Sequence, residues 1–304
     1  MSWRKESRRV ARYAALRAAI ASHRIVPRPL SLACWSALGA ISSRVLPRTW
    51  RRTVEHLAAA YPELTPSDRE RLARRVFREM AKNASDVIRL GSWRGTEVDR
   101  WAEAEDWSHF EAAHRRGRGV IVLTGHIGCW ELLGALICGR GYPLHVLARP
   151  LREERLDALV RRLREGYGAR ALDARRSLRA ALQVLRSGGA VGLLLDLNTG
   201  EAGVQVPFFG RPAWTPLSAA WLARKSGAAV VPMAIGRAAN GRHLVRTLPP
   251  LEFGPGEATR ERLEADTAVC VAAIEELIRH DPTQWIWFHP RWRARRRAAV
   301  VAVA

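Results

Sequence analysis

The sequence predicts an α/β fold, a mixed and largely parallel β-sheet flanked by helices, preceded by a helical N-terminal region. Beyond about residue 107, short apolar runs typical of strands alternate with longer stretches typical of helices. Such alternation indicates strands joined by helical crossovers, and therefore a largely parallel sheet. Up to about residue 105 helical patterns dominate instead, and Pro27, Pro29 and Pro47 separate them.

The elements follow from these patterns in chain order. Thr65-Pro66-Ser67-Asp68 has the residues of a helix start and leads into a helix over residues 69–90. Further helices are expected over residues 107–116, 130–140, 152–166, 175–187, 215–226 and 257–280. Strands are expected over residues 119–124, 143–148, 190–195, 229–235 and 243–248. We divide the chain into a helical, membrane-associating region (residues 1–105), an α/β domain (residues 106–292) and a basic tail (residues 293–304).

The charge of the chain points to a polyanionic partner. The 304 residues carry 50 Lys and Arg against 29 Asp and Glu, a formal net charge of +21. A nucleic acid, an anionic membrane and a phosphorylated substrate all fit this balance. No zinc-finger, RNA-recognition or basic-zipper pattern is recognisable, and the charge is concentrated in residues 1–28 and 291–297. We therefore expect an anionic membrane surface and no nucleic acid.

Two N-terminal segments are candidates for membrane contact. Residues 30–46 form the longest apolar stretch, but serines interrupt it and it is short for a span of ~20 apolar residues. Trp35 and the flanking Pro and Arg residues suit an interface, so we expect a helix that lies in or dips into the membrane surface. Residues 8–22 form a basic, Ala-rich helix that is either interfacial or packed on the catalytic domain. No secretory signal is recognisable.

Four cysteines, at 34, 129, 138 and 270, show no paired framework, which fits a reducing compartment. Cys129 lies between His126 and Glu131, the candidate catalytic residues discussed next, so a thiol nucleophile has to be considered. A small buried hydrophobic residue is the more common role for such a cysteine, and it is our expectation here.

His126 and Glu131 are the candidate catalytic residues. The apolar run at residues 120–123 leads to Gly125-His126, and an apolar helical run follows from Leu132. His126 therefore lies at a strand-to-helix turn, where open α/β folds place ligands. A carboxylate that fixes its tautomer would make the imidazole a general base, and Gly128 can bend the chain so that Glu131 reaches the ring. A metal site is disfavoured because no third ligand stands at a suitable spacing.

His126-x4-Glu131 and several further blocks resemble one protein family. The H-x4-D/E pattern is similar to that of the glycerolipid and lysophospholipid acyltransferase superfamily, and the other blocks resemble its bacterial lipid A biosynthesis acyltransferase branch. Those blocks are Val146-Leu-Ala-Arg149-Pro150, Arg164, Leu193-Leu-Leu-Asp196, Val206-Pro-Phe-Phe-Gly-Arg-Pro-Ala-Trp-Thr215, Ala229-Val-Val-Pro232 and Gln284-Trp-Ile-Trp-Phe-His289-Pro-Arg-Trp292. The order and spacing of the resemblance run from about residue 30 to 292, which is nearly the whole chain. Asp196-Leu-Asn departs from the Asp-Gln or Asp-His of many members.

The resemblance implies a glycerolipid acyltransferase-like fold and an O-acyltransferase at the cytoplasmic face of the bacterial inner membrane. The donor would be acyl carrier protein or acyl-CoA, and the acceptor a hydroxyl of a lipid A precursor or related glycolipid. His126 would be the general base and Glu131 its orienting carboxylate. Arg149, Arg164 and Asp196 would bind substrate, with Asp196 alternatively paired to an active-site Arg. No covalent intermediate, cofactor or metal is implied.

Some readings of the sequence stay open. The acceptor could instead be a lysophospholipid, a phosphatidylinositol mannoside or an aminolipid, and a thioesterase using Cys129 or a His-activated water is a different class. Phe208, Phe209 and Trp214 could line an acyl channel or pack in the core. Gly210-Arg211-Pro212 looks like a turn beside the site, and His289 looks like a packed residue rather than a second base.

Overall fold

The structure, a computed structural model, describes residues 17–23, 25–91, 95–151, 153–174 and 176–293. Residues 17–22 are helical. Two predicted segments lie partly outside the described residues: residues 8–16 of the basic N-terminal helix, and residues 294–304 of the basic tail.

Three helices form the N-terminal region, and a proline stands at the start of each. They are α1 (Arg28–Val45), α2 (Pro47–Ala60) and α3 (Pro66–Leu90). Proline suits the first turn because its missing N–H has no helical partner there. The predicted start of α3 is confirmed, since the Thr65 side chain accepts a hydrogen bond from the N–H of Asp68. Helices α1 and α3 pack closely at Gly39, where a Cβ would lie 2.5 Å from the carbonyl oxygen of Phe77.

A seven-stranded sheet forms the centre of the molecule, in the order β1-β9-β8-β2-β5-β3-β4. Its strands are β1 (Ala102–Ala104), β2 (Val120–Thr124), β3 (Leu144–Ala148), β4 (Arg170–Asp173), β5 (Ala190–Leu194), β8 (Ala229–Arg237) and β9 (His243–Thr247). Strands β8, β2, β5, β3 and β4 are mutually parallel, whereas β9 is antiparallel to β8 and parallel to β1. The predicted mixed, largely parallel sheet is confirmed.

Helices cover both faces of this sheet. They are α4 (Ser108–Arg115), α5 (Trp130–Gly139), α6 (Glu154–Gly166), α7 (Leu178–Arg186), α8 (Ser218–Ser226) and α9 (Arg260–His280). On one face Val120 and Val122 pack in a cluster with Leu133 of α5. On the other, Ile121 and Leu123 belong to a cluster with residues of α7, α8 and α9. Strands buried on both faces explain the continuous apolar runs in the sequence.

The structure adds strands that the sequence pattern did not predict. Strands β1 and β4 were missed, as was the hairpin of β6 (Val204–Phe208) and β7 (Arg211–Thr215). A turn is present near the predicted Gly210-Arg211-Pro212, but its position was predicted wrongly by about one residue. The two residues between the strands are Phe209 and Gly210, both with positive φ, and Arg211 and Pro212 already belong to β7.

A buried carboxylate joins the N-terminal helices to the sheet. Asp86 of α3 is fully buried and binds Arg28 of α1 through both oxygens, at 2.9 and 2.8 Å. The same carboxylate accepts hydrogen bonds from Arg237 of β8 at 2.7 Å and from His243 of β9 at 2.8 Å. Charge pairing of this kind is what makes a buried carboxylate tolerable. Within the described ranges, no helix combines the length and the apolar composition needed to cross a membrane.

Candidate functional site

The candidate site lies at the carboxyl edge of the parallel strands. Strand β2 ends at Thr124 and leads to His126, β5 leads to Asp196, and β3 leads to Arg149. Because β2, β5 and β3 are neighbouring parallel strands, these three residues follow the same edge of the sheet. This is the edge at which open α/β sheets bind ligands.

His126 and Asp196 form the central pair of the site. The imidazole Nδ1 of His126 lies 2.8 Å from Oδ1 of Asp196, and the backbone N–H of His126 donates to Oδ2 at 2.7 Å. A second donor to Oδ2 is the indole Nε1 of Trp285, at 2.7 Å. The Asp196 side chain is fully buried, whereas the His126 side chain is 20% exposed. The pair therefore presents one edge of the imidazole to the outside.

The Asp196 carboxyl is an anion in this arrangement. Burial by itself would raise its pKa, but the charge of His126 and the hydrogen bonds from His126 and Trp285 outweigh burial and lower the pKa to about 2. An anionic Oδ1 can only accept, so the proton of the imidazole lies on Nδ1. In the neutral imidazole Nε2 then keeps its lone pair, and that form is the one that a general base requires.

Glu131 has a different partner from the one that the five-residue spacing suggested. Its carboxylate receives two hydrogen bonds from Arg164, at 3.0 and 2.6 Å, and one from the hydroxyl of Tyr167 at 2.9 Å. The expected contact between Glu131 and His126 is not among the hydrogen bonds of the described residues. Helix α5 begins at Trp130 and directs the Glu131 side chain towards α6, and Asp196 occupies the place at Nδ1 instead.

The backbone at Gly128 fixes the path between His126 and α5. Its φ is +58°, and an added Cβ would lie 1.7 Å from the carbonyl oxygen of Ile235, so only glycine fits. The N–H of Gly128 donates to the carbonyl of Gln284 at 2.7 Å. The predicted bend at Gly128 is present, but it positions the loop against β8 rather than bringing Glu131 onto the imidazole.

The two arginines predicted to bind substrate differ in their surroundings. Arg149 is exposed beyond β3, and no hydrogen bond or ion pair joins it to another residue in the described part of the chain. Strand β3 is two strands away from β2, a distance of about 10 Å. Arg164 is 13% exposed and is held by Glu131, whose hydrogen bonds and charge outweigh burial and raise the pKa of the guanidinium. Direct binding of a phosphate by Arg164 would have to break that pair.

Several further side chains settle questions that the sequence left open. Cys129 is fully buried, and burial raises the pKa of its thiol, so it lacks the thiolate that a nucleophile needs. Phe208 and Phe209 are buried in the main core cluster, which supports core packing rather than an acyl channel. A cavity of about 30 Å³ lies between Glu131, Gly134 and Gly192.

The C-terminal segment contributes Trp285 to the site, a residue to which the sequence analysis gave no role. Trp285 hydrogen-bonds Asp196, and Nε2 of His289 accepts the N–H of Asn198 at 3.1 Å. His289 is half-buried, and burial lowers its pKa to about 4, in keeping with a packed residue. The sequence signal that could have located Trp285 is the family-like block that begins at Gln284. The sequence analysis noted that block but gave the indole N–H of Trp285 no role. Among the described residues, no group of three or more His, Cys, Asp or Glu is placed to hold a metal.

Comparison with known proteins identifies the class to which this fold and site belong. The chain is 25% identical to the lipid A biosynthesis lauroyltransferase of Escherichia coli K12, over 89% of this chain and 87% of that protein. It is 26% identical to the palmitoleoyltransferase of the same organism over the same shares. A phosphatidylinositol mannoside acyltransferase of Mycolicibacterium smegmatis is 25% identical over 82% of this chain and 80% of its own length. The protein is therefore an acyl-transfer enzyme.

The family itself is shown by a sequence profile. The profile of the bacterial lipid A biosynthesis acyltransferases matches residues 1–294. The chain belongs to that family.

Proposed function

We propose that the protein moves a fatty acyl chain from an acyl thioester, either acyl carrier protein or acyl-CoA, to a hydroxyl of a lipid A precursor or related glycolipid. His126 is the general base. The observation that carries this proposal is the buried Asp196 carboxylate on Nδ1 of His126, at the carboxyl edge of the sheet. It leaves Nε2 as the one basic atom of the pair that a substrate can reach.

The reaction follows from this geometry without a covalent enzyme intermediate. The acceptor hydroxyl donates its proton to Nε2 of His126 while its oxygen attacks the thioester carbonyl carbon. The tetrahedral intermediate then collapses, the C–S bond breaks, and the thiolate recovers the proton from the imidazolium. Asp196 stabilises that imidazolium, as carboxylates do in related base-plus-carboxylate sites. General-base help of this kind contributes about 10²–10⁴-fold to the rate.

The first turn of α5 is the candidate site for the oxyanion. Helix N-termini leave N–H groups without helical partners and favour negative charge. Helix α5 starts at Trp130, four residues after His126, so its first turn lies beside the imidazole. The Trp130 ring is 4.9 Å from the His126 ring, centroid to centroid. A thioester carbonyl between Nε2 and this turn would have a base and donors on its two sides.

Arg149 is the better placed of the two predicted substrate arginines. It is exposed and follows β3 at the edge that carries His126. A guanidinium there suits an acidic group of either substrate, the phosphate of the acceptor or the phosphopantetheine phosphate of the donor. We assign Arg164 a supporting place instead, as the partner of Glu131, with substrate contact only if that pair opens.

The membrane is the proposed location, at the cytoplasmic face of the inner membrane. Helix α1 carries an exposed apolar stripe of Leu30, Cys34, Leu38, Ile41 and Val45, whose four larger members are between 52 and 64% exposed. Basic residues at and beyond the end of α1 (Arg44, Arg48 and Arg51) are also exposed. An apolar helix face beside basic residues is typical of a helix that lies in the surface of an anionic bilayer.

The lipid that accepts the acyl chain has a second candidate. Of the three relatives described above, two are named for lipid A and one for phosphatidylinositol mannoside, at nearly equal identity. A phosphatidylinositol mannoside is therefore the alternative acceptor. Hydrolysis by a Cys129 thioesterase has no support in the site, because that thiol is buried.

Purified variants test the proposed chemistry. Product formation is followed by mass spectrometry, with acyl carrier protein and CoA thioesters as donors and a lipid A precursor, a phosphatidylinositol mannoside and a lysophospholipid as acceptors. His126→Ala should lower kcat by about 10²-fold or more. Asp196→Asn should cost a comparable factor, because a neutral amide fixes neither tautomer nor charge. His280→Ala, at an exposed position on α9, is the matched control. Full activity in folded His126→Ala protein would contradict the proposal.

A further inference from the structure

A short segment near the C-terminus crosses both loops that carry the proposed catalytic pair. We call residues 285–293 the C-terminal strap. On the His126 side, Ile127 forms an antiparallel bridge with Trp285, and the residue just before the strap, Gln284, accepts the N–H of Gly128 at 2.7 Å. The loop of the base is thus paired with the start of the strap by main-chain hydrogen bonds.

The same strap is fastened to the loop after β5. The side-chain amide of Asn198 donates to the carbonyls of Pro290, Arg291 and Arg293, at 3.4, 3.0 and 2.7 Å. The backbone N–H of Asn198 donates to His289. Arg291 is fully buried and donates to the carbonyl of Leu197 and to Thr215. The strap therefore fixes the distance between the two loops, since each is attached to it independently.

One side chain of the strap reaches the reacting pair itself. Nε1 of Trp285 donates to Oδ2 of Asp196 at 2.7 Å. The other donors to this carboxylate are the backbone N–H and Nδ1 of His126. Within the described residues, Trp285 is thus the single donor to Asp196 from outside His126. Both Asp196 and Trp285 are buried, so bulk water is not at hand to replace a lost indole N–H.

We infer that Trp285 is a positioning residue for the acyl-transfer step: its indole N–H holds Oδ2 of Asp196 so that Oδ1 stays aligned with Nδ1 of His126. The inference rests on the proposed function of His126. If His126 were the only residue that donates to Asp196, the carboxylate and the imidazole could rotate together. The third hydrogen bond connects the pair to the strap, and through the strap to both loops.

An isosteric exchange isolates this one hydrogen bond. In Trp285→3-benzothienylalanine a sulfur replaces Nε1–H and the ring shape is kept. The matched control is Trp287→3-benzothienylalanine. Trp287 is equally buried, its Nε1 donates to the carbonyl of Pro282 at 2.7 Å, and its ring packs on Trp285 at 4.7 Å. Both variants lose one buried indole hydrogen bond, but only one of those bonds ends on Asp196.

The kinetic pattern separates positioning from a purely structural role. The Trp285 exchange should lower kcat by about 10- to 100-fold with both KM values nearly unchanged, the range expected for a displaced catalytic group. The lower limb of the kcat–pH profile should move to lower pH, because a misaligned carboxylate stabilises the imidazolium less. The Trp287 exchange should leave kcat and the pH profile as in the wild type, at a similar loss of thermal stability.

The outcomes of this experiment are distinct. Equal effects of the two exchanges, or a pH limb that stays in place or moves upward, overturn the positioning role. An active His126→Ala variant overturns the proposed function, and this inference with it. An inactive His126→Ala variant beside a fully active Trp285 variant overturns the inference alone. If the Trp285 analogue does not fold, Trp285→Phe is measured instead, against Trp287→Phe, with activity referred to folded protein.

Discussion

Two acidic residues near His126 have different partners. Asp196 is bound to the imidazole, and Glu131 is bound to Arg164 and Tyr167. The side chains of Glu131 and Arg164 are 8% and 13% exposed, so the ion pair is largely removed from water. Removing one member of such a pair leaves an uncompensated charge, which costs more than the pair itself contributes.

Glu131→Ala is therefore expected to be a stability variant. Loss of the carboxylate should lower the free energy of unfolding by roughly 3 kcal/mol, because Arg164 is left buried without its counter-ion. In the double variant Glu131→Ala, Arg164→Ala the loss should be smaller than the sum of the single losses, since no unpaired charge remains. Urea unfolding of the three variants measures this. Additive losses would mean that the ion pair is not energetically coupled.

The residue types of the site were predictable from the sequence, but their pairing was not. His126 and Asp196 were both singled out, each after an apolar strand. Asp196, however, was predicted to bind substrate or to pair with an arginine, whereas the structure binds it to His126 and Trp285. They are 70 residues apart, and nothing in their local sequence indicates that β5 lies beside β2. Glu131 was favoured because it is close in sequence. The direction of a side chain in the first turn of α5 depends on how that helix packs, which a spacing of five residues does not encode.

At the level of secondary structure, α1 is an element with two different faces. Ser31, Gly39 and Ser43 are buried, and Gly39 closely approaches α3. The exposed apolar stripe follows the opposite side at intervals of three or four residues. An apolar stripe of this regularity on an exposed face is typical of an interaction surface. We proposed above that its partner is the bilayer.

Charges introduced into the stripe should weaken binding to lipid. Leu38→Glu, Ile41→Glu places two carboxylates where half-exposed apolar side chains stand. Each substitution should remove about 1.5 kcal/mol of the free energy of transfer from water to lipid. For the two side chains together this corresponds to roughly 100-fold weaker partition into the bilayer. The measurement is flotation with vesicles of phosphatidylethanolamine and phosphatidylglycerol. Leu156→Glu, Val269→Glu is the control, at two exposed apolar side chains of α6 and α9 that are 36 and 41% exposed. Unchanged flotation of the α1 variant would rule out the stripe as the membrane contact.

The elements that were predicted and those that were missed differ in physical character. Strands buried on both faces, such as β2 and β5, carry uninterrupted apolar runs and were located to within one residue. Strand β4 is an edge strand with Arg170 and Asp173 at its ends, and it lacks such a run. In the β6–β7 hairpin, Pro207 stands directly opposite Pro212. Proline argues against a strand in most sequence contexts, which explains the omission.

For the molecule as a whole, the buried Asp86 cluster connects the N-terminal helices with the central seven-stranded sheet. Its carboxylate serves two arginines and His243. Burial and the neighbouring Arg237 and Arg28 outweigh the hydrogen bond to Asp86 and lower the pKa of His243 to about 4. His243 is thus neutral in the folded protein at pH 7, and its protonation would add a third cation at a single carboxylate.

Stability should fall as the solution becomes acidic, and His243 should account for part of the fall. The ordinary pKa of a histidine, 6.5, lies above the folded-state value of about 4, so the unfolded chain takes up the proton first. Stability is full above pH 6.5 and is lost as pH falls towards 4, by roughly 3 kcal/mol for this group. His243→Gln, which keeps a donor for Asp86 but does not titrate, should flatten the dependence of Tm on pH. The exposed His280→Gln should not. An unchanged slope in His243→Gln would contradict this assignment.

The C-terminal strap has a consequence for the order in which the enzyme becomes active during its synthesis. Asp196 and Trp285 are 89 residues apart, and translation at about 5–20 residues per second separates their appearance by roughly 4–18 s. Throughout that interval the nascent chain already holds α1, His126 and Asp196, but not the indole that holds the pair in place. A ribosome-bound chain could therefore reach the bilayer before it is competent to consume thioesters. With the roles proposed above for α1 and Trp285, attachment to the membrane would come before activity.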